Sequence, residues 1–304
     1  MISKANKKTI LIMGGTGLIG SHFIKIFNDT YNFIIITRNK NKIKAAKHNH
    51  QMILWDEFLN NKISFIEKSD IIINLAGESL LKPLTKHNKE IIYNSRIKTT
   101  KEVIQAINQA NKKPTCLINA SAIGYYQHHN YNKEFTELSK PGNDLISQLC
   151  IDWEYEAKQT KVRSIQLRIG LVLDAKNGFL KTLLTPFNLF IGGHLGDGKQ
   201  NCPWIHNDDV SHIINYIIEN NSINGPVNVV SPNQCTLKKF CKTLSQIINR
   251  PSWLHIPKFI IKILFKELAP TLLNTPLIKP EKLLSTNYKF IHQDLTKTLK
   301  YTLK

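Results

Sequence analysis

The sequence predicts an α/β protein, a doubly wound parallel sheet followed by a smaller, mostly helical carboxyl-terminal lobe. Three observations predict it. Short, nearly continuous apolar runs alternate with longer amphipathic stretches through the first half of the chain, as successive βαβ units require. A glycine-rich turn follows the first apolar run directly and opens a helix. Beyond about residue 175 the rhythm stops, and Pro251, Pro257, Pro270, Pro276 and Pro280 punctuate the last part of the chain.

The strands can be taken in order. Thr9–Met13, Phe33–Thr37, Asp70–Asn74, Cys116–Ala120 and Ile165–Ile169 are dominated by Ile and Leu, the composition of strands buried on both faces. Helices are expected between them, over Gly17–Asn28, Lys101–Ala110 and Asp144–Lys158. Asp174-Ala175-Lys176-Asn177-Gly178 reads as a turn, which divides the chain into a first domain over 1–174, to which later segments return, and a lobe over 175–304. In the tail, Phe259, Ile260, Ile263, Leu264 and Leu268 recur at helical spacing, so this segment is expected to dock as helices and to serve the substrate side.

Composition sets the outer bounds. The 304 residues are 42% hydrophobic and 21% charged, enough to bury a large core. The polar opening residues and the early glycines predict no secretion signal, and Phe259–Phe265, interrupted by Lys262, is too short to cross a bilayer. Cys116, Cys150, Cys202, Cys235 and Cys241 are odd in number and lack close paired spacing, so neither a disulfide framework nor a metal site is expected, and a reducing cytoplasm suits them. The formal charge of +19 comes from scattered lysines without a nucleic-acid-reading motif. A solvated basic surface is the expected reading, with no specific nucleic acid and no membrane among the partners.

Met13-Gly14-Gly15-Thr16-Gly17-Leu18-Ile19-Gly20 gives a G-x-x-G-x-x-G turn between strand and helix, the pattern of a Rossmann-type dinucleotide site. Gly14 allows a sharp turn, Gly17 lets backbone approach a pyrophosphate, and Gly20 lets the helix pack closely while its amino end faces the phosphates. Gly15, Thr16, Leu18 and Ile19 complete the contact surface. At the end of the second strand, Thr37-Arg38-Asn39-Lys40 carries no acid to hold a ribose 2′-hydroxyl. Arg38, with Lys40 and Lys42 behind it, suits a 2′-phosphate, so the expected cofactor is NADP(H) in preference to NAD(H).

Further motifs carry a resemblance. They are Asn74-Leu75-Ala76-Gly77-Glu78, Asn94-Ser95-Arg96-Ile97 with Thr100, Ala120-Ser121-Ala122-Ile123-Gly124-Tyr125-Tyr126, and Asp152-Trp153-Glu154. Leu167-Arg168-Ile169-Gly170, Gly196-Asp197-Gly198-Lys199-Gln200 and Trp204-Ile205-His206-Asn207-Asp208-Asp209 continue the series. With these the chain resembles the extended short-chain dehydrogenases/reductases. More narrowly, it resembles the YfcH-like family of nucleotide-sugar epimerase-like proteins, whose DUF1731-like carboxyl-terminal domain would fall at about 251–300. The resemblance implies a cofactor cleft floored by Leu75, Ala76 and Gly77, with Glu78 and Gly170 also at the cofactor and Ser121 near the nicotinamide. It places Tyr126, Trp204 and His206 on the substrate side and implies a small-molecule substrate such as a nucleotide-linked sugar. A homodimer is compatible with it.

The chemistry is incomplete. Ser121 occupies the serine position of the Ser, Tyr and Lys triad by which such enzymes move a proton. The helix at Asp144–Lys158 offers only Tyr155 and Lys158, one residue short of Tyr-x-x-x-Lys, and the resemblance puts Trp153 near the tyrosine position. Tyr125 and Tyr126 are the substitute candidates as proton donor, Tyr125 the first of them. His206 is a substrate-side candidate or a structural hydrogen-bonder, and Asp209 is expected to cap the helix Val210–Glu219. Two functions are compatible with these residues: an NADP(H)-dependent epimerase or oxidoreductase with a non-standard triad, or a non-catalytic NADP(H)-binding regulatory or scaffold protein.

Overall fold

The computed structural model describes residues 7–44, 50–80, 83–126 and 133–304. Its central sheet contains β1 (Thr9–Met13), β2 (Asn32–Thr37), β3 (Gln51–Leu54), β4 (Ile71–Asn74), β5 (Cys116–Ala122), β6 (Arg163–Ile169) and β7 (Gly225–Val229). The spatial order is β7-β6-β5-β4-β1-β2-β3. The pairings of β1 with β2 and β4, of β2 with β3, and of β4 with β5 are parallel. Strand order reverses between β1 and β4, which makes the carboxyl ends of those two strands the topological switch point. The α/β class expected from the alternating runs is the one observed.

Side-chain alternation along the strands explains the two faces. Leu11, Met13, Ile34, Ile36 and Ile72 share one buried cluster with Phe58, Phe65, Val103 and Ile107 of the covering helices. Ile12 and Ile35 turn the other way, to the face where Ile24 of the helix Leu18–Phe27 packs. Phe23, Phe27, Tyr31 and Phe33 form an aromatic group there, with His212 edge-on to Phe27. Each such side chain, fully buried, contributes roughly 1.5–3 kcal/mol through removal from water.

Two strands are not legible as apolar runs. β3 has one fully buried position at the sheet edge, and β7 contains Pro226 and Asn228, so neither shows a continuous hydrophobic stretch. Asp70, expected to open β4, instead lies just before it and accepts the Thr9 N–H through Oδ2 at 2.8 Å.

The described residues form two compact units. One comprises the chain up to Ala120 with Asp152–Leu167 and Ser211–Gly225; the other comprises Ser121–Ile151, Arg168–Val210 and Pro226–Lys304. The second unit holds short ladders as well as helices. Leu171–Leu173 pairs with Trp204–His206, Gly193–Leu195 with Leu254–Ile256, and Glu134–Phe135 with Leu277–Ile278, all parallel. Asn201–Cys202 pairs antiparallel with Cys235–Thr236. Runs of two or three residues are too short to show a period, so this region reads as mostly helical from sequence.

The tail docks within its unit, though three of the five residues expected to carry it, Phe259, Ile263 and Leu264, face outward, while Ile260 and Leu268 are half-buried. In the helix Lys258–Phe265 it is Ile261 that is buried, whereas Phe259, Ile263 and Leu264 are 63%, 68% and 66% exposed. An eight-residue helix that is apolar on most sides reveals its existence by composition but not which side faces inward. Ile261 packs with Ala269 and Leu273 against Leu195 and Ile256, and Leu299 joins Phe240 and Leu244. Among the described residues, no helix is long and apolar enough to cross a membrane.

Asp209 corrects a second expectation. It lies inside the first turn of the helix Asn207–Glu219 and does not cap it; its carboxylate accepts the N–H of Ile291 at 2.7 Å and of His292 at 3.0 Å. The side chain is fully buried, so these bonds replace its hydration and tie the tail down. Asp209→Ala strands two backbone donors and is predicted to cost about 2–4 kcal/mol by chemical denaturation. Limited proteolysis should then cut first around residues 288–294; unchanged stability and an unchanged cleavage pattern would contradict this role.

Candidate functional site

In the first unit the glycine turn sits at the switch point. Gly14 has φ +77°, and a Cβ on it would lie 2.6 Å from the Leu75 carbonyl oxygen. No side chain fits there. At Gly20 a Cβ would lie 2.5 Å from the Gly14 carbonyl oxygen, so the helix start presses directly onto the turn. Gly17 is the N-cap of the helix Leu18–Phe27, without a side-chain cap and with no acid in the first turn. Gly15 abuts Ile12 and Ile35. The turn closes through Gly17 N–H to Gly14 O at 2.9 Å.

Around this turn the chain is basic. Lys42 Nζ donates to the Thr16 carbonyl at 2.9 Å. Thr37, buried at the end of β2, accepts the Asn39 N–H through Oγ1, and this local turn carries Arg38 outward. The Arg38 guanidinium, on a side chain 68% exposed, lies 3.7 Å from the Glu78 carboxylate. A cavity of about 460 Å3 opens beside the turn, lined among others by Thr16, Ser21, Lys25, Lys42 and His50.

The Leu75–Glu78 strap is held by residues that sequence alone marks only as family motif. Asn74, fully buried, donates to Thr100 Oγ1 at 2.9 Å and to Asn119 Oδ1 at 2.7 Å, and its own Oδ1 accepts the Ala76 N–H. Ser95 Oγ accepts the Glu78 N–H at 2.9 Å, and Arg96 Nη2 donates to the Glu78 carbonyl at 2.9 Å. Gly77 lies so close to the Arg96 guanidinium that a Cβ would sit 3.2 Å from its central carbon. The signal in the sequence that points to these partners is the presence of polar residues on otherwise apolar elements.

Trp153 belongs to this scaffold. Its indole N–H donates to Thr100 Oγ1 at 3.0 Å and its ring faces the Arg96 guanidinium at 5.1 Å. Tyr155 is 65% exposed, and Lys158 lies 3.6 Å from Glu154, its neighbour four residues back.

In the second unit, Ser121 is a buried residue near the end of β5, followed by a single 3-10 turn over Ile123–Tyr125. The helix that packs on that turn is Leu145–Ala157. A Cβ on Gly124 would lie 2.6 Å from Ile146 Cγ2 and 3.7 Å from Cys150 Sγ. Ile146 and Cys150 are four residues apart, so the helix presents an Ile-x-x-x-Cys pair on this face. Neither is a tyrosine or a lysine.

Arg168 organises the rest. Fully buried, it stacks 3.5 Å from the centre of the Tyr125 ring and donates to Tyr126 Oη at 2.9 Å and to the Glu137 carbonyl at 3.2 Å. Tyr126 Oη in turn donates to Asn228 Oδ1 at 2.5 Å, and burial pushes its pKa up to about 12. The Glu137 carboxylate accepts the N–H groups of Asn228 and Lys282. Burial lowers the pKa of the Lys282 ammonium.

The substrate-side expectations change accordingly. Tyr126 and Trp204 are both fully buried, Trp204 in a cluster with Leu173 and Phe240, so neither offers surface to a ligand. Tyr125 is only half-buried. Gly170 lets two strands meet, since a Cβ would lie 2.3 Å from the Pro203 carbonyl oxygen. His206 caps a helix, its Nδ1 accepting the Asp208 N–H at 3.1 Å.

The glycines differ in what a methyl group would cost. Gly14→Ala is predicted to lose about 2–4 kcal/mol, because it adds a backbone clash to a left-handed φ. At Gly17 an added Cβ meets only Gly14 O at 3.2 Å, so Gly17→Ala should cost about 1 kcal/mol or less. Denaturant midpoints of the two variants, if equal, would refute this ordering.

Comparison with known proteins agrees with this geometry. A model of the NAD dependent epimerase/dehydratase family matches residues 10–230, and one of DUF1731, a domain of unknown function, matches residues 256–302. The epimerase family protein YfhF of Bacillus subtilis is 32% identical over 290 residues, covering 94% of this chain and 95% of that protein. Mouse SDR39U1 is 31% identical over 299 residues, covering 96% and 98%. The crystal structure of human SDR39U1 (isoform 2) with NADPH superimposes with a TM-score of 0.86 at 28% identity, covering 97% of this chain and 98% of that one. A nucleoside-diphosphate sugar epimerase of Corynebacterium glutamicum gives 0.76 at 26% identity, covering 98% of this chain and 58% of that one. With the glycine turn at its switch point and the family model spanning residues 10–230, the chain belongs to the NAD dependent epimerase/dehydratase family.

Proposed function

We propose that this protein binds NADP(H) at the Gly14–Gly20 turn and acts as an extended short-chain oxidoreductase or epimerase on a polar small molecule, of which a nucleotide-linked sugar is the leading class. The observation that carries the cofactor is the helix start at Gly17, which lacks a side-chain cap and a first-turn acid and lies beside a cavity whose lining includes Lys25 and Lys42. Such an end, with its N–H groups and dipole, suits a pyrophosphate. Gly14, Gly15, Thr16, Gly17, Leu18, Ile19 and Gly20 would hold the diphosphate, with Leu75, Ala76, Gly77 and Glu78 alongside. Thr37 positions Arg38, whose fork suits a 2′-phosphate. The human relative whose structure contains NADPH supports this cofactor choice.

When bound, the nicotinamide supplies hydride transfer. Ser121 hydrogen-bonds a substrate oxygen, and Tyr125, half-buried against Arg168, is the candidate proton donor. The Ile146 and Cys150 pair favours the second reading, a non-catalytic NADP(H)-binding regulatory or scaffold protein.

One measurement tests the cofactor and a second decides between the readings. Titration of both cofactors should show tighter NADPH, and Arg38→Asp should lose about 1.5–3 kcal/mol of that preference; equal wild-type affinities would sink the cofactor assignment. In hydride-transfer assays over a panel of nucleotide sugars and carbonyl compounds, Ser121→Ala should lower turnover strongly at nearly unchanged NADPH affinity, while Tyr155→Phe stays close to wild type. The reverse ranking would restore a Tyr155-based mechanism, and no turnover with any substrate would favour the regulatory reading.

A further inference from the structure

We infer that His206, Asp208 and His292 form a binding site for one borderline divalent cation, Zn2+ or Co2+, that clips the carboxyl-terminal domain within the second unit. The three side chains come from two segments 84 residues apart. They are largely enclosed, with side-chain exposures of 8%, 18% and 12%. His206 Nδ1 lies 3.3 Å and His292 Nε2 lies 3.1 Å from Asp208 Oδ2. One ligand atom from each of the three residues falls within 4.8 Å of the others. Ligands about 2.0–2.2 Å from a tetrahedral metal stand roughly 3.4 Å apart, so the carboxylate is already at coordination spacing from both rings. Two imidazoles and one carboxylate select a borderline first-row ion over Mg2+ or Ca2+, which prefer oxygen ligands throughout.

The surroundings fit a cation as well. The His206 and His292 rings lie with centroids 4.1 Å apart, and Tyr301 packs on both at 5.4 and 5.0 Å. Its hydroxyl is hydrogen-bonded to the Asp208 carboxylate. Asp209, fully buried next door, holds the backbone of Ile291 and His292 and thereby aims the His292 ring. His206 Nδ1 lies 3.1 Å from the Asp208 backbone nitrogen and 3.3 Å from its carboxylate. A cation bound between the ring and the carboxylate would use Nδ1 as a ligand and displace one helix-capping bond.

Metal-free full-length protein titrated with Co2+ and Zn2+ tests this. One equivalent should bind, with a visible Co2+ spectrum lacking the thiolate charge-transfer band that the cysteines would give, and with a rise in Tm. His292→Ala and Asp208→Asn, both confirmed folded by circular dichroism before metal is added, should each weaken binding at least tenfold and abolish the Tm rise. NADPH affinity provides a second check on fold, since neither variant touches the glycine turn. Absence of binding, a thiolate band, or affinity unchanged in both variants overturns the site.

Discussion

The backbone of Gly14 runs against the carbonyl of Leu75 with no room for a single methyl group. That contact sets the spacing between the ends of β1 and β4, and the rest of the cofactor end is arranged around it. Because Gly14 turns through a left-handed φ, its carbonyl receives the Gly17 N–H, and the next helix begins at once with its amino end at the sheet edge. Because Gly20 adds no side chain, that helix can lie directly on the turn. The apolar faces of the sheet supply most of the stability, but they would tolerate many edge geometries; the glycine contact selects one.

A buried polar chain holds the second wall of the same edge. Trp153, Thr100, Asn74 and Asn119 are linked by hydrogen bonds of 2.7 to 3.0 Å, and Ser95 and Arg96 grip the Glu78 backbone. Polar groups buried this deeply are costly unless satisfied, and together they leave the Leu75–Glu78 strap little freedom. The Asp152-Trp153-Glu154 motif thus serves the scaffold. The helix that would carry a Tyr-Lys pair in a standard short-chain enzyme spends Trp153 on Thr100 and shows Ile146 and Cys150 to the turn after Ser121.

The second unit relies on charged groups in an analogous way. Arg168 is held by the Tyr125 face, the Tyr126 hydroxyl and the Glu137 carbonyl, while Glu137 reaches the backbone of Asn228 and Lys282. Asp209 does the same for Ile291 and His292. Apolar contacts through Ile261 and Leu299 hold the tail, and these carboxylates fix its register.

By itself the sequence determined the α/β class, five of the seven central strands, the position of the glycine turn and the basic end of β2. Each depends on local features: apolar runs buried on both faces, residues that permit a left-handed turn, and charge next to a strand end. It could not reveal the edge strand β3, with its single fully buried position, or the two-residue ladders of the second unit, which have no period to detect. Nor could it say that Tyr126 and Trp204 are buried, that Ile261 rather than Phe259 faces inward, or that Asp209 binds a segment more than eighty residues away. Those were decided by tertiary structure, because burial and hydrogen-bond partnership depend on which distant backbone arrives at a side chain, and nothing in the neighbouring residues records that.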